Sequence, residues 1–115
     1  MALFLKKIRQ SAEIFQVTDT SNMLGAGLNI ISNGMLVLKE LGLENEIIEN
    51  GSIVKDGVFK NAKDSRLAKF RFTNLKKYQS PAVNIKRKAL HRILLDKLNE
   101  ENIPIHFNKK LSGIR

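Results

Sequence analysis

Short strand patterns alternate with amphipathic helices along this chain, and this alternation restricts the folds open to it more than any other feature. A helix is predicted from Arg87 to about Asn99, and a strand pattern follows it at Ile105 to Phe107. One face of the helix is apolar, formed by Leu90, Ile93, Leu94 and Leu98. Because such a face must be covered, and a neighbouring sheet covers it in alternating folds, the sequence predicts the α/β class.

The N-terminal half contains a second strong helix pattern. The segment from about Gly34 to Leu41 is apolar nearly all round, so we expect this helix to be buried on more than one side. Ser32 or Asn33 is expected to cap its first turn, and Gly42 to end it. The other elements predicted here are a strand at 13–17, an extended segment at 24–31, and an acidic helix at 43–49 whose Glu44, Glu46 and Glu49 face solvent.

The segment 51–82 carries antiparallel signals. Asp56-Gly57 is typical of a tight hairpin turn, because both residues tolerate a positive φ, and it separates strand patterns at 52–54 and 58–59. Alternating apolar and polar side chains predict a half-exposed strand at 67–72. We expect this segment to form an antiparallel β patch inserted in the α/β domain.

Length and composition exclude several classes of protein. The chain has 115 residues, about the size of one domain. It has no cysteine, which excludes disulfides, thiolate metal ligands and a cysteine nucleophile. No apolar run approaches the roughly 20 residues that span a bilayer, and the first residues lack the apolar run of a secretory signal. We therefore expect a cytoplasmic protein without a transmembrane segment.

The net positive charge of the chain comes from its second part. Residues 1–50 carry four basic and six acidic side chains, whereas residues 51–115 carry sixteen and five. An anionic partner is one interpretation, because Lys69-Phe70-Arg71-Phe72 combines phosphate-binding charges with aromatics that can stack on bases. In the other, Phe70 and Phe72 are core residues and the charges face solvent. A small basic nucleic-acid-binding domain is thus the alternative hypothesis for this chain.

The sequence predicts neither a catalytic residue nor a metal site. His91 and His106 are isolated from each other, and no carboxylate stands at a ligand spacing from either. We expect both to be packing or surface residues. No Ser-His-Asp set can be placed.

The segment Gly25-Ala26-Gly27 is part of a glycine pattern that binds dinucleotides when a third glycine follows at a helix N-terminus. Here Ile30 stands at that third position, and the next helix begins several residues late. The segment by itself does not predict a phosphate-binding loop.

Together with its neighbours, however, the segment resembles one in the FAD-dependent aromatic-ring monooxygenases, the family of the salicylate and hydroxybenzoate hydroxylases. The resemblance extends from about Ala2 to Ile114 and is weakest over 51–82. The order and spacing of several patches carry it: Phe15-Gln16, Gly25-Ala26-Gly27-Leu28-Asn29-Ile30, Ser32-Asn33-Gly34-Met35, Leu38-Lys39-Glu40-Leu41-Gly42-Leu43, Arg87-Lys88-Ala89-Leu90, and the strand at 103–107.

The resemblance implies a partial Rossmann-like FAD-binding domain over 1–115, with 51–82 as a β insertion towards a substrate domain. It also implies the family's activity, the insertion of one oxygen atom into a small organic, typically aromatic, substrate. FAD is the implied cofactor, and NAD(P)H is the implied reductant.

The resemblance also implies which residues contact FAD. Gln16 stands where the family has an acidic residue that holds the adenosine ribose, so charge assistance is lost there. Gly25, Ala26 and Gly27 match the segment that lies close to the flavin, and Arg87 matches the arginine that reaches the cofactor. Asn22 stands where the family often has another arginine.

Lys86, Arg87 and Lys88 stand at a predicted helix N-terminus, and this placement has a physical meaning of its own. The helix dipole disfavours cations there by up to about 1 kcal/mol each unless an anion is present. A cofactor phosphate would supply that anion; otherwise the side chains extend into water, where salt screens them.

The start of the chain suggests a piece of a longer enzyme. Leu5, Ile8 and Ala12 predict the last turns of a helix, yet that helix begins at Met1 without a cap. The family's first strand and Gly-x-Gly-x-x-Gly turn would precede this helix, and a later Gly-Asp motif would follow Arg115. We expect a fragment with little or no activity alone and with impaired FAD binding.

Overall fold

The computed structural model describes residues 1–19 and 25–114 of the chain, and the predicted alternation is present in it. The helices are α1 (Ala2–Lys7), α2 (Ser32–Glu40), α3 (Glu44–Glu49), α4 (Leu75–Tyr78) and α5 (Arg87–Glu100). The strands are β1 (Ile14–Phe15), β2 (Gly27–Ile30), β3 (Gly51–Val54), β4 (Asp56–Lys60), β5 (Arg66–Arg71), β6 (Ala82–Lys86) and β7 (Ile105–His106).

The strands form three small sheets. β1 and β7 pair in parallel, with Ile14 opposite Ile105. β6 lies at the centre of an antiparallel sheet with the order β2-β6-β3, and β4 and β5 form an antiparallel hairpin. The mixed α/β class with antiparallel strands is therefore confirmed.

The main core lies between β6 and three helices. Its buried residues come from α2, the turn after it, α3, β6 and α5: Met35, Leu43, Ile47, Val83, Ile85 and Ile93. As predicted, α5 buries one face, and Ile93 is fully buried. The expectation that α2 is buried on more than one side is wrong, because its Leu36 and Val37 are exposed. A second cluster joins Leu3 of α1 to Leu98 and Ile103. The first cluster packs against the N-terminal half of α5, through Ala89, Leu90 and Ile93, and the second packs against its C-terminal half.

The prediction of a hairpin turn at Asp56-Gly57 is wrong. Both residues lie within β4, and Gly57 pairs with Phe70 of β5. A Cβ on Gly57 would collide with the Phe72 ring, so the glycine leaves room for that ring and does not make a turn. The turn lies at 61–65, where the Asn61 side chain accepts hydrogen bonds from two backbone N–H groups. The aromatic contact outweighed the local turn preference.

The helix ends differ in part from expectation. The N-cap of α2 is Ile31, whose apolar side chain cannot accept a hydrogen bond, and the Ser32 hydroxyl accepts one from the Asn74 N–H at 2.9 Å. The prediction of a side-chain cap is therefore wrong for Ser32, whereas the Asn33 Oδ1 does accept a hydrogen bond from a first-turn N–H, that of Gly34, at 2.8 Å. Gly42 does end this region, with a φ of 73°. Helix α1 ends at Lys7, and Ile8 is exposed, so the predicted face of Leu5, Ile8 and Ala12 is also wrong.

None of the helices in the described ranges is long and apolar enough to cross a membrane.

Candidate cofactor site at the start of helix α5

The fold brings four of the five predicted site residues together. Gly25 and Ala26 precede β2, which runs antiparallel to β6, so that Gly27 lies opposite Lys86. The chain continues from β6 straight into α5, and the Arg87 N–H donates a hydrogen bond to the Ala26 carbonyl at 3.3 Å. The loop at 25–27 therefore lies against the first turn of α5.

Gly25 makes the closest approach in this contact. A Cβ built on Gly25 would lie 2.9 Å from the Arg87 Cβ, closer than side-chain carbons normally come. A Cβ on Gly27 would meet only the Ile85 carbonyl oxygen, at 3.9 Å. The close contact at Gly25 therefore requires a residue without a side chain, whereas the surface beside Gly27 is open.

The start of α5 is cationic, as predicted. Lys86 is the N-cap and makes no side-chain cap, and the first turn contains no acidic residue. Lys86, Arg87 and Lys88 are exposed. Within the described ranges no carboxylate oxygen lies within 4.0 Å of any of the three. Three cations beside the positive end of a helix dipole therefore lack an anionic partner in the described part of the chain.

Gln16, the fifth predicted site residue, makes its hydrogen bonds elsewhere. It follows β1, and its backbone bonds to His106 and Lys109. Its side-chain amide donates to the Thr18 hydroxyl at 3.4 Å, and no recorded hydrogen bond of the described residues joins it to 25–27 or to Arg87. Asn22 lies outside the described residues.

The remaining candidates occupy surface positions or intramolecular hydrogen bonds. His106 stacks on Phe15 with ring centroids 4.8 Å apart, and its Nε2 lies 3.1 Å from a Glu13 carboxylate oxygen. His91 is half-buried on α5. Across residues 1–19 and 25–114, no group of three or more histidine, cysteine or carboxylate residues could hold a metal ion.

One of the three predicted solvent-facing glutamates has a structural contact. The Glu44 carboxylate accepts a hydrogen bond of 2.5 Å from the hydroxyl of Ser80, which is fully buried. The prediction for Glu44 is therefore wrong, because a buried hydroxyl required an acceptor. Glu46 and Glu49 are exposed, as expected.

The β4–β5 hairpin shows whether its aromatic residues are exposed or belong to the core. Phe59 and Phe70 lie on one face with ring centroids 5.2 Å apart, and their exposed fractions are 63% and 48%. Phe72 is half-buried over Gly57. Phe70 is therefore not a core residue in this structure.

A second concave region was missed in the sequence. It lies where β3 passes into β4, and its lining includes Lys55, Arg71 and Lys76. Because side chains alternate along β5, Arg71 lies on the face opposite Phe70, and this part of the arrangement could be predicted from the sequence. Lys55 and Lys76, however, join it only through the tertiary path of the chain.

The fold of this chain also occurs in solved oxygenases. No protein-family model and no curated protein matches the chain. Solved structures do match it, and they include monooxygenases and oxygenases of small organic molecules. The resemblance to the FAD-dependent aromatic-ring monooxygenases is thereby confirmed at the level of the fold.

Three of these structures show the extent of the similarity. p-Nitrophenol 4-monooxygenase PnpA from Pseudomonas putida DLL-E4 matches with a TM-score of 0.83 and 16% identity, over 99% of this chain and 30% of that chain. PqsL from P. aeruginosa, in complex with 2-aminobenzoylacetate, matches with 0.82 and 14%, over 99% and 31%. 2-Methyl-3-hydroxypyridine-5-carboxylic acid oxygenase matches with 0.80 and 18%, over 99% and 29%. The chain spans less than a third of each.

Proposed function

We propose that this chain is an FAD-binding part of a monooxygenase that hydroxylates a small aromatic substrate with NAD(P)H and oxygen. The single observation that carries the proposal is the contact of the small-residue loop at 25–27 with Arg87, at a cationic helix start that has no carboxylate partner among residues 1–19 and 25–114. The shared fold with oxygenases of small organic molecules supports it.

The residues present fit a phosphate-bearing cofactor at this place. The Arg87 backbone is held by its hydrogen bond to Ala26, and the stem of its side chain lies against Gly25. An arginine guanidinium can bind a phosphate through two parallel hydrogen bonds. Ala26 and Gly27 are exposed, and because Ala26 has only a methyl group and Gly27 no side chain, a flat ring can approach the backbone closely. A bound flavin would supply the redox chemistry, and these residues would hold and orient it.

The fit is poorer at Gln16. A carboxylate can accept hydrogen bonds from both ribose hydroxyls with charge assistance, whereas an amide offers one neutral oxygen. We therefore propose that this chain alone binds FAD weakly. Residues 1–115 would form part of an FAD-binding domain, and the segment 51–82, which contains the exposed hairpin, would extend towards a substrate domain.

FAD titration of the purified chain, followed by flavin fluorescence, tests the proposal. Arg87→Ala should weaken binding about tenfold or more, because a charge-assisted bond is worth about 1.5–3 kcal/mol. Lys110→Ala removes the same charge from an exposed residue outside the cluster and should change the affinity less than twofold. Equal effects of the two variants would contradict a specific role for Arg87.

Gln16→Glu tests the second contact. This variant should tighten FAD binding several-fold, since a charged acceptor strengthens a hydrogen bond. FMN, which lacks the adenosine ribose, is the matched control ligand and should bind both forms equally. A gain that is the same for FMN and FAD would refute the ribose contact.

Binding of single-stranded nucleic acid is the second candidate function. The exposed Phe59 and Phe70 favour it, because such aromatics can stack on bases beside basic side chains. An oligothymidylate titration at two salt concentrations tests it. Salt-sensitive binding that Phe59→Ala weakens, in a chain that does not bind FAD, would favour this function over the first.

A further inference from the structure

The concave region at the base of the hairpin has a volume of about 300 Å³. Its lining includes Lys55, Asp56, Arg71, Thr73, Leu75 and Lys76. The backbone N–H groups of Phe72 and Thr73 both donate to the Lys55 carbonyl, at 3.1 and 3.2 Å. These bonds hold the two chain segments together where β3 leads from the three-stranded sheet into the hairpin, and so they fix the backbone beneath the pocket.

The charges around this pocket are unbalanced. Lys55, Arg71 and Lys76 have no carboxylate oxygen within 4.0 Å among the residues that the structure describes. Asp56 is the one carboxylate among the described residues of the lining, and the Lys69 Nζ lies 2.9 Å from one of its oxygens. Asp56 also lies opposite Arg71 in the hairpin, but its ion pair is with Lys69, so three cations around the pocket have no carboxylate oxygen within 4.0 Å in the described part of the chain. Clustered cations of this kind favour an anionic ligand.

The pocket also has an apolar wall. Leu75 lines it and is 57% exposed, and the aliphatic stems of the lysines add to this surface. Ligand pockets of about 300 Å³ or more commonly combine apolar walls with a few polar groups that orient the ligand. Arginine further favours groups with two oxygens in one plane, such as phosphate and carboxylate.

We propose that this pocket binds a small organic anion, with its phosphate or carboxylate group on Arg71, Lys55 and Lys76 and its apolar part against Leu75. The site shares no residue with the candidate cofactor site at the start of α5. It is therefore an additional binding site, independent of the proposed flavin function.

Titration of the ¹⁵N-labelled full chain with phenyl phosphate, followed by amide chemical shifts, tests this site. Saturable shifts are expected at Lys55 and at 73–76. Arg71→Ala should weaken binding about tenfold, as loss of a charge-assisted bond predicts. Lys63→Ala is the matched control, because Lys63 is an exposed cation in the turn of the same hairpin and does not line the pocket. It should change the affinity less than twofold.

Two further titrations distinguish a site for a small organic anion from a site for phosphate alone and from a nucleic-acid surface. Inorganic phosphate should bind more weakly than phenyl phosphate, and Leu75→Ala should weaken only phenyl phosphate. An oligothymidylate that binds more tightly than phenyl phosphate and loses affinity equally in Lys63→Ala and Arg71→Ala would overturn the proposal in favour of a nucleic-acid surface. Shifts that do not saturate, or equal losses in Lys63→Ala and Arg71→Ala with phenyl phosphate, would also overturn it. Arg71→Ala should leave FAD affinity unchanged.

Discussion

Replacement of Gly25 by alanine should disturb the start of α5 through one contact. The added Cβ would lie 2.9 Å from the Arg87 Cβ and 3.5 Å from both its Cγ and Cδ. Carbon atoms pack at about 3.5–4.0 Å, so at least about 0.6 Å of overlap must be relieved by movement of the loop or of Arg87. Overpacking of this kind typically costs about 1–3 kcal/mol, and the exposure of both residues favours the lower end.

Gly27→Ala provides the matched comparison. Its Cβ would make only an ordinary contact, 3.9 Å from the Ile85 carbonyl oxygen. Both substitutions reduce the conformational freedom of the unfolded chain, which stabilises the folded state by about 0.4–1 kcal/mol where no strain results. Because this term is common to both variants, the difference in their unfolding free energies isolates the overlap at Gly25. We expect Gly25→Ala to be less stable than Gly27→Ala by about 1 kcal/mol or more.

Urea unfolding followed by circular dichroism measures this difference, provided that both variants unfold with the same m value. Amide chemical shifts should also move at Arg87 and its neighbours in Gly25→Ala and stay in place in Gly27→Ala. Equal stability of the two variants, or a more stable Gly25→Ala, would refute the packing of Gly25 against Arg87. The orientation of Arg87 in the candidate site would then lose its structural basis.

Three other predictions, each with a comparison variant, concern the fold and are tested by urea unfolding. Ile47→Ala should lower the free energy of unfolding by about 2–5 kcal/mol because Ile47 is fully buried. Val37→Ala, at a half-exposed position, should lower it by about 0.5 kcal/mol or less, and equal losses in the two variants would contradict the burial of Ile47. Gly42→Ala should cost about 1–2 kcal/mol because its φ is 73°, and Gly42→Asn should cost less; a harmless alanine would contradict the left-handed turn. Thr73→Val should cost about 1–3 kcal/mol because the Thr73 hydroxyl both donates and accepts a hydrogen bond, and Thr73→Ser should recover most of the loss.

The sequence by itself was sufficient for features that depend on neighbouring residues. The apolar face of α5 follows from side chains three and four positions apart, and the end of α2 follows from Gly42. The order of the short motifs also predicted the class of fold, because each motif marks a local element at a defined spacing. These features depend on backbone preferences within a few residues, and therefore a linear pattern contains them.

The tertiary structure decided the features that depend on residues distant in the chain. Asp56-Gly57 has the local chemistry of a turn, yet it lies in a strand because Phe72 occupies the space beside Gly57. The contact of Gly25 with Arg87 and the collection of Lys55, Arg71 and Lys76 around one pocket likewise arise only when β2 and β3 pair with β6 and the hairpin folds back. Excluded volume and charge act through space, so the sequence specifies these contacts only through the folded path of the whole chain.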